Sequence, residues 1–296
     1  MVSHRIGFIG LGEVATVLSR ELVKNGAEVR AFDVLSATPE GRSIIKERIR
    51  NTGVKLCSIE NTVRASQYIL STVPTQEARQ VAKMASAYLK KGKLYIDMNS
   101  TSPAEKVEIG EIIEASGCEY IEAAILGALG AEGPRARVLV TGLRGNEVAE
   151  LFNSLGLNWE WYGENIGKAS MFKMLRSVFS KGLECIIVEL LLAGMRGGIE
   201  EDLWQEVCRF MNQNPFDIVA DNWVLSHATA CKRRYHEMVQ VNETLRDLGI
   251  HSVMSRATES FFKRSLEAGI VEAFEKKPDS RKRVIEYLDK QIFGQS

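Results

Sequence analysis

The chain has no run of ~18 consecutive apolar residues, the length needed to span a bilayer, and its 38 basic side chains are matched by 38 acidic ones. The first absence excludes a transmembrane helix. The second excludes a general electrostatic field for nucleic acid or an anionic membrane. Cysteine is sparse: Cys57, Cys118, Cys185, Cys208 and Cys231 are odd in number, widely spaced and without a CxxC pair. Neither a disulfide framework nor a zinc site is expected, and no metal is assigned. No internal repeat stands out. The N-terminus enters a strand within a few residues, leaving no length for a signal peptide, so a soluble cytoplasmic protein is expected.

What is present is an ordinary globular composition, 45% apolar and 26% charged, over 296 residues. That length favours two domains. The chain is organised around Arg5 to Asp33, RIGFIGLGEVATVLSRELVKNGAEVRAFD. Ile6, Phe8 and Ile9 form a short apolar run that stops at Gly10, Leu11 and Gly12. From Val14 the apolar residues Val17, Leu18, Leu22 and Val23 fall at helical spacing, and after Gly26 the segment Glu28 to Phe32 alternates as a second strand.

This is a strand–glycine turn–helix–strand unit of the dinucleotide-binding type. Gly10 permits the tight turn, and Gly12 lets the backbone approach a pyrophosphate resting on the amides of Leu11, Gly12, Glu13 and Val14 at the helix N-terminus. Ala15 replaces the third glycine and is still small enough for close helix–strand packing. Asp33, some twenty residues on, stands where a carboxylate accepts the ribose 2′-hydroxyl of NAD and repels the 2′-phosphate of NADP. Arg42, in the loop and helix that follow, can reach a 2′-phosphate, so NAD is the expected cofactor and NADP the second choice.

Tyr68 to Val73 and Lys93 to Asp97 read as buried strands with a helix over Glu77 to Leu89 between them, which predicts a parallel sheet with ligands at the strand carboxyl ends. Val73, Pro74 and Asn99 then face the cofactor. Ser102 and Pro103 cap the next helix. Glu119 to Ile125, Arg137 to Thr141 and Asn158 to Tyr162 complete the strands, with a loop at LGALGAEGPR able to pass close to a ligand. Beyond Gly163 only helical periods recur, so residues 1–163 are expected to form a Rossmann domain and 164–296 an all-helical domain. The apolar stripe Met171, Met174, Leu175, Val178, Leu183, Ile186, Ile187, Leu190 and Leu191 calls for burial by neighbours, as in a homodimer. Further helices are expected around Glu201 to Met211, Phe216 to Leu225, Ala230 to Leu248 and Ser255 to Ala268, and EKKPDSRKR as solvated helix ends.

Lys173 sits early on the long helix among Met171, Phe172, Met174 and Leu175, with Arg176 and Ser177 following. Partial desolvation beside another cation lowers a lysine toward the working range of a general base. His227, Lys232, Arg233, Arg234 and His236 form a basic run that reads either as a solvated face or as an anion clamp containing Arg233.

Taken in order, GFIGLGEVA (Gly7–Ala15), STVP (Ser71–Pro74), DMNSTSP (Asp97–Pro103), EAAILGALGA (Glu122–Ala131) and GKASMFKMLRS (Gly167–Ser177) resemble the 3-hydroxyacid dehydrogenase superfamily, which includes 6-phosphogluconate and 3-hydroxyisobutyrate dehydrogenases. The resemblance implies an α/β Rossmann domain followed by a helical domain that dimerises. It implies hydride transfer between an acidic hydroxy compound and the nicotinamide, with Lys173 as general acid and base. It also implies substrate contacts at Asn99, Ser100, Gly127, Arg176 and Ser177. Leu126 replaces the family's substrate-contacting serine, and Arg176 replaces an asparagine one turn after the lysine. Imine reductases and a non-catalytic dinucleotide sensor are the alternatives.

Overall fold

The computed structural model describes residues 4–127 and 129–294. The first element is the expected one: β1 (Arg5–Ile9), the glycine turn, α1 (Glu13–Lys24) and β2 (Glu28–Phe32). Then follow α2 (Pro39–Arg48), β3 (Lys55–Leu56), α3 (Ile59–Ala65), β4 (Tyr68–Ser71), α4 (Ala78–Ser86), β5 (Leu94–Asp97), α5 (Pro103–Glu114), β6 (Glu119–Ile125), α6 (Leu129–Glu132), β7 (Val138–Thr141), α7 (Gly145–Ser154) and β8 (Trp159–Trp161). The strands form one eight-stranded sheet in the order β3-β2-β1-β4-β5-β6-β7-β8. Its central strands are buried on both faces, which is why they read as continuous apolar runs rather than alternating ones. Ile6, Phe8, Leu70, Leu94 and Ile96 pack on one face with Leu18 and Leu22 of α1. Ile9, Ile69 and Tyr95 pack on the other with Ile109 and Ile113 of α5.

The sheet departs from the expected all-parallel arrangement at β7, which runs antiparallel to β6. The connection between them forms no crossover helix, only the short α6 and a 3₁₀ turn before β7 begins. Ala128, within the expected ligand-side loop, lies outside the described residues. β3, α3 and α7 have no counterpart among the elements expected from the sequence.

The chain divides into two compact units, Met1–Val178 and Phe179–Ser296. The last strand ends at Trp161, near the change of character at Gly163, but the division falls inside the long helix α8 (Lys168–Gly197). Its opening turns belong with the sheet, because Ala169 and Phe172 pack with Ala124 and Leu126 of the β6 segment and Leu139 of β7.

The second unit contains the rest of α8 with α9 (Glu200–Gln213), α10 (Phe216–Asp247), α11 (Met254–Glu267), α12 (Ile270–Ala273) and α13 (Arg281–Ile292). The two helices expected over Phe216 to Leu225 and Ala230 to Leu248 are one. No glycine or proline interrupts residues 216–247, and Ala228 and Cys231 continue the buried stripe across the expected gap. The charged segment read as solvated ends leads into α13, whose Val284 and Leu288 join Ala228, Cys231 and Ile270 in the core of this unit. Glu189 of α8 caps α11 from a distance, accepting hydrogen bonds from Val253 N (2.7 Å), Met254 N (2.9 Å), Ser255 N (2.8 Å) and Ser255 Oγ (2.6 Å). Burial opposes its ionisation, but these donors outweigh it and hold the carboxyl down at about 2. Among the described residues no helix is long and apolar enough to cross a membrane.

Candidate active site

β1, β4, β5 and β6 are mutually parallel, so their carboxyl ends share one edge of the sheet, and the N-terminus of α1 opens at the same edge. Gly10 leaves β1 with φ +94°, and a Cβ there would lie 2.6 Å from the Thr72 carbonyl oxygen. Only glycine meets both conditions. Thr72 Oγ1 in turn donates to Gly10 O (2.9 Å), joining the turn to the end of β4.

Gly12 is needed for a different reason. A Cβ on it would meet nothing within 4 Å, so its missing side chain leaves open space in front of α1. No side chain caps that helix, and its first-turn amides have no acceptor within the helix. Glu13 is exposed and Val14 half-buried at this end. The residues fit a pyrophosphate in that space.

Asp33, buried at the end of β2, accepts from Leu11 N (2.7 Å) and Leu35 N (2.9 Å). The carboxylate therefore ties the glycine turn to the chain after β2, while each oxygen retains a second lone pair for a ribose hydroxyl. Arg48 completes the turn by donating to Leu11 O (3.0 Å), a contact no motif announced. Beside Asp33 a cleft of about 540 Å³ is lined by Phe32, Val34, Ser36, Arg42 and Lys46 among others, with Arg42 Nε donating to Ser36 O (3.1 Å).

At the ends of β4 and β5 the side chain of Asn99 bridges the two strands: Oδ1 accepts from Val73 N (2.8 Å) and Nδ2 donates to Ser71 Oγ (2.9 Å). This buried amide shapes the shelf formed by Val73 and Pro74. Asn99 N donates to Asp97 Oδ1 (2.9 Å), and Asp97 anchors a group absent from the sequence reading. The wholly buried Lys106 places Nζ on Asp97 Oδ1 (3.1 Å) and Asp97 O (3.0 Å), and Tyr120 donates its hydroxyl to Asp97 Oδ2 (2.8 Å). A signal was available, since Lys106 shares a helical stripe with the buried Ile109, Gly110 and Ile113, where a lysine survives only with a partner.

Lys173 comes to the same edge. Its Nζ donates to Ser100 Oγ (2.7 Å), bringing together two residues 73 positions apart. Burial, and then the Lys106 ammonium, lower the Lys173 pKa from its ordinary value. Arg176, one turn on, donates Nη1 to the carbonyl of Leu126, so the two residues that depart from the family pattern are each other's partners. A Cβ on Gly127 would meet the carboxylate of Glu132, the movable end of an exposed side chain. Ser177 Oγ donates back to Lys173 O (3.1 Å). Arg233 belongs to the second unit, where it is exposed and ion-paired with Glu237 four residues on.

The glycine turn, the open helix N-terminus and the acid at the end of β2 define a dinucleotide-binding α/β protein. Comparison with known proteins makes this specific: residues 5–163 match the NAD binding domain of 6-phosphogluconate dehydrogenase, and residues 195–265 match a domain of unknown function, DUF1932. The chain belongs to the 6-phosphogluconate dehydrogenase-like and 3-hydroxyisobutyrate dehydrogenase-like superfamily, and its first unit holds an NAD-binding domain.

Its relatives include an uncharacterised 28.5 kDa protein of Methanothermus fervidus, 28% identical over 88% of this chain and 98% of the relative. A 2-(hydroxymethyl)glutarate dehydrogenase of Eubacterium barkeri is 23% identical over 69% of this chain and 68% of that enzyme. Among solved structures, a conserved protein of unknown function described as similar to 3-hydroxyacid dehydrogenases aligns at 30% identity and TM-score 0.60, covering 96% of this chain and 99% of the other. Imine reductases share the fold at 14–18% identity and TM-scores of 0.74–0.77.

Proposed function

We propose that the protein is an NAD(P)-dependent oxidoreductase acting on a small acidic hydroxy compound, a 3-hydroxy acid or its keto counterpart. Lys173 is its general acid and base. The observation that carries the reading is the 2.7 Å contact between Lys173 Nζ and Ser100 Oγ at the strand edge that also bears the glycine turn. A sensor without turnover has no need of a desolvated lysine aimed at that edge. For imine reduction the comparisons offer likeness of fold alone.

The bound nicotinamide supplies the hydride acceptor or donor. Gly10 and Leu11, whose amides are engaged by Phe32 O and Asp33, would shape the turn; Gly12, Glu13 and Val14 would hold the pyrophosphate, Asp33 would take the ribose hydroxyls, and Val73, Pro74 and Asn99 would face the cofactor. In oxidation Lys173 Nζ removes the proton from the substrate hydroxyl, and in reduction it returns it. Ser100 Oγ orients Nζ. Arg176 keeps donors beyond the one on Leu126 O, enough for a two-point contact with a substrate carboxylate. Gly127, Ser177 and Arg233 are proposed as further contacts for the acidic substrate.

NAD is favoured over NADP because Asp33 presents negative charge at the ribose. A parallel fluorescence titration with NADH and NADPH tests this. NADH is expected to bind at least tenfold more tightly, a difference of about 1.4 kcal/mol. Equal or reversed affinity would move selection to Arg42 and Lys46, and binding of neither would end the oxidoreductase reading.

A homodimer is proposed from the long helix, whose Leu175, Val178, Val188 and Met195 are each more than half exposed in the single chain. Sedimentation equilibrium is expected to give about twice the chain's 33.0 kDa. A monomer mass would exclude the dimer.

A further inference from the structure

The helix that carries Lys173 starts without a capping side chain of its own. The residue before its first turn is Gly167, at φ +92°, and a Cβ there would lie 3.3 Å from the Pro103 carbonyl oxygen. Serine, threonine, aspartate and asparagine, the usual caps, would all be strained there, yet the first-turn amides still need acceptors. They find one in Glu122, wholly buried in the middle of β6. Its Oε2 accepts from Gly167 N (2.6 Å) and from Thr141 Oγ1 (2.6 Å), and its Oε1 accepts from Ser170 N (2.6 Å). Thr141 is its cross-strand neighbour on the antiparallel β7. Three donors and the positive end of a helix compensate a charge that burial would otherwise expel.

This clamp does more than satisfy amides. Ser170 precedes Lys173 by three residues and lies on the same side of the helix, so bonds to Gly167 N and Ser170 N fix both the rotation and the axial position of the turn from which Lys173 springs. Ala169 and Phe172 press the same turns onto Ala124, Leu126 and Leu139, but apolar contact is non-directional and tolerates a slide or a small rotation. Hydrogen bonds do not. Glu189 supports α11 from a distance in the same manner within the second unit, so the chain uses a remote carboxylate as a helix anchor twice.

We propose that Glu122 is the positioning residue of the active site: by anchoring the first turn of α8 to the sheet it sets Lys173 Nζ against Ser100 and the reacting carbon. The proposal rests on the assignment of Lys173 as acid and base.

Glu122→Gln and Glu122→Asp test it. Glutamine keeps the shape but turns an NH₂ toward donors; aspartate keeps the charge but withdraws it by one methylene. Glu122→Gln is expected to lower kcat by roughly 10²-fold, the penalty of about 1 Å of misplacement, with Kd for NADH and KM within twofold. Amide exchange over residues 166–176 is expected to accelerate, the lysine limb of the pH–rate profile to move, and Glu122→Asp to recover part of kcat. Faster exchange with kcat and the pH limb unmoved would overturn the positioning role, as would unchanged exchange. Failure of the Lys173 assignment appears separately, as wild-type turnover in Lys173→Ala. The pH dependence of Lys173 acetylation by acetic anhydride, followed by mass spectrometry, then decides whether Glu122 sets that side chain's surroundings: an unmoved profile in Glu122→Gln rejects it, and a shifted one retains it.

Discussion

Lys173→Ala is expected to lower kcat/KM by about 10³-fold, within the range attributed to general acid–base catalysis, while the affinity for NADH stays within twofold of wild type. The two readouts separate because the groups are separate. The dinucleotide fingerprint lies at Gly10, Gly12 and Asp33, whereas Lys173 Nζ reaches only Ser100 Oγ among the hydrogen bonds of the described residues. Lys173→Arg is expected to be as inactive as alanine, since a guanidinium cannot give up its proton in the working range.

The pH profile follows from the sign of the pKa shift. Burial and the Lys106 ammonium lower the Lys173 pKa, so oxidation, which needs the free amine, rises with pH through that lowered value and levels off above it. Reduction needs the ammonium and falls over the same interval. Loss of less than tenfold in Lys173→Ala, or a pH limb that survives the substitution, would remove Lys173 from the chemistry.

Lys106→Met carries the largest expected effect on stability. Lys106 and Asp97 are 1% and 0% exposed, with 3.1 Å between Nζ and Oδ1. Taking away the cation leaves Asp97 charged in the interior with only Asn99 N and Tyr120 OH to answer it. Breaking such a pair costs roughly 3–5 kcal/mol, a fall in Tm on the order of 10 °C for a unit of this size.

The double variant Asp97→Asn with Lys106→Met is expected to regain most of that loss, because no uncompensated charge remains. It supplies a second readout. Without the Lys106 ammonium nearby the Lys173 ammonium becomes easier to keep, so its pKa rises and the oxidative limb moves to higher pH. A single variant melting within about 2 °C of wild type would show that the pair contributes little to holding β5 and α5 together.

Much of this protein was legible in its residue order, and the legible parts share a cause. The unit from Arg5 to Asp33 could be read because each of its signals acts over a few residues: an apolar run, glycines at a turn, a 3.6-residue period, an acid at a strand end. The same holds for the Ser102 cap with Pro103, and for the long apolar stripe of α8. Lys173 was proposed from the order of several motifs, since its own surroundings on sequence alone favoured a surface lysine.

What the tertiary structure decided depends on partners distant in the chain. The antiparallel direction of β7 was set by its pairing with β6 across a connection that forms no crossover helix. Lys106 became a core residue because Asp97 stands beneath it, and Arg176 was drawn to the carbonyl of Leu126, 50 positions earlier. Glu122 looked like one more strand residue until the fold brought Gly167 and Ser170 to its oxygens. Periodicity and turn chemistry are written locally, so the sequence by itself determined most of the longer elements and the dinucleotide-binding type of the first unit. The pairing of buried charges and helix ends is settled only when chain segments tens of residues apart meet in a medium that leaves no polar group unanswered.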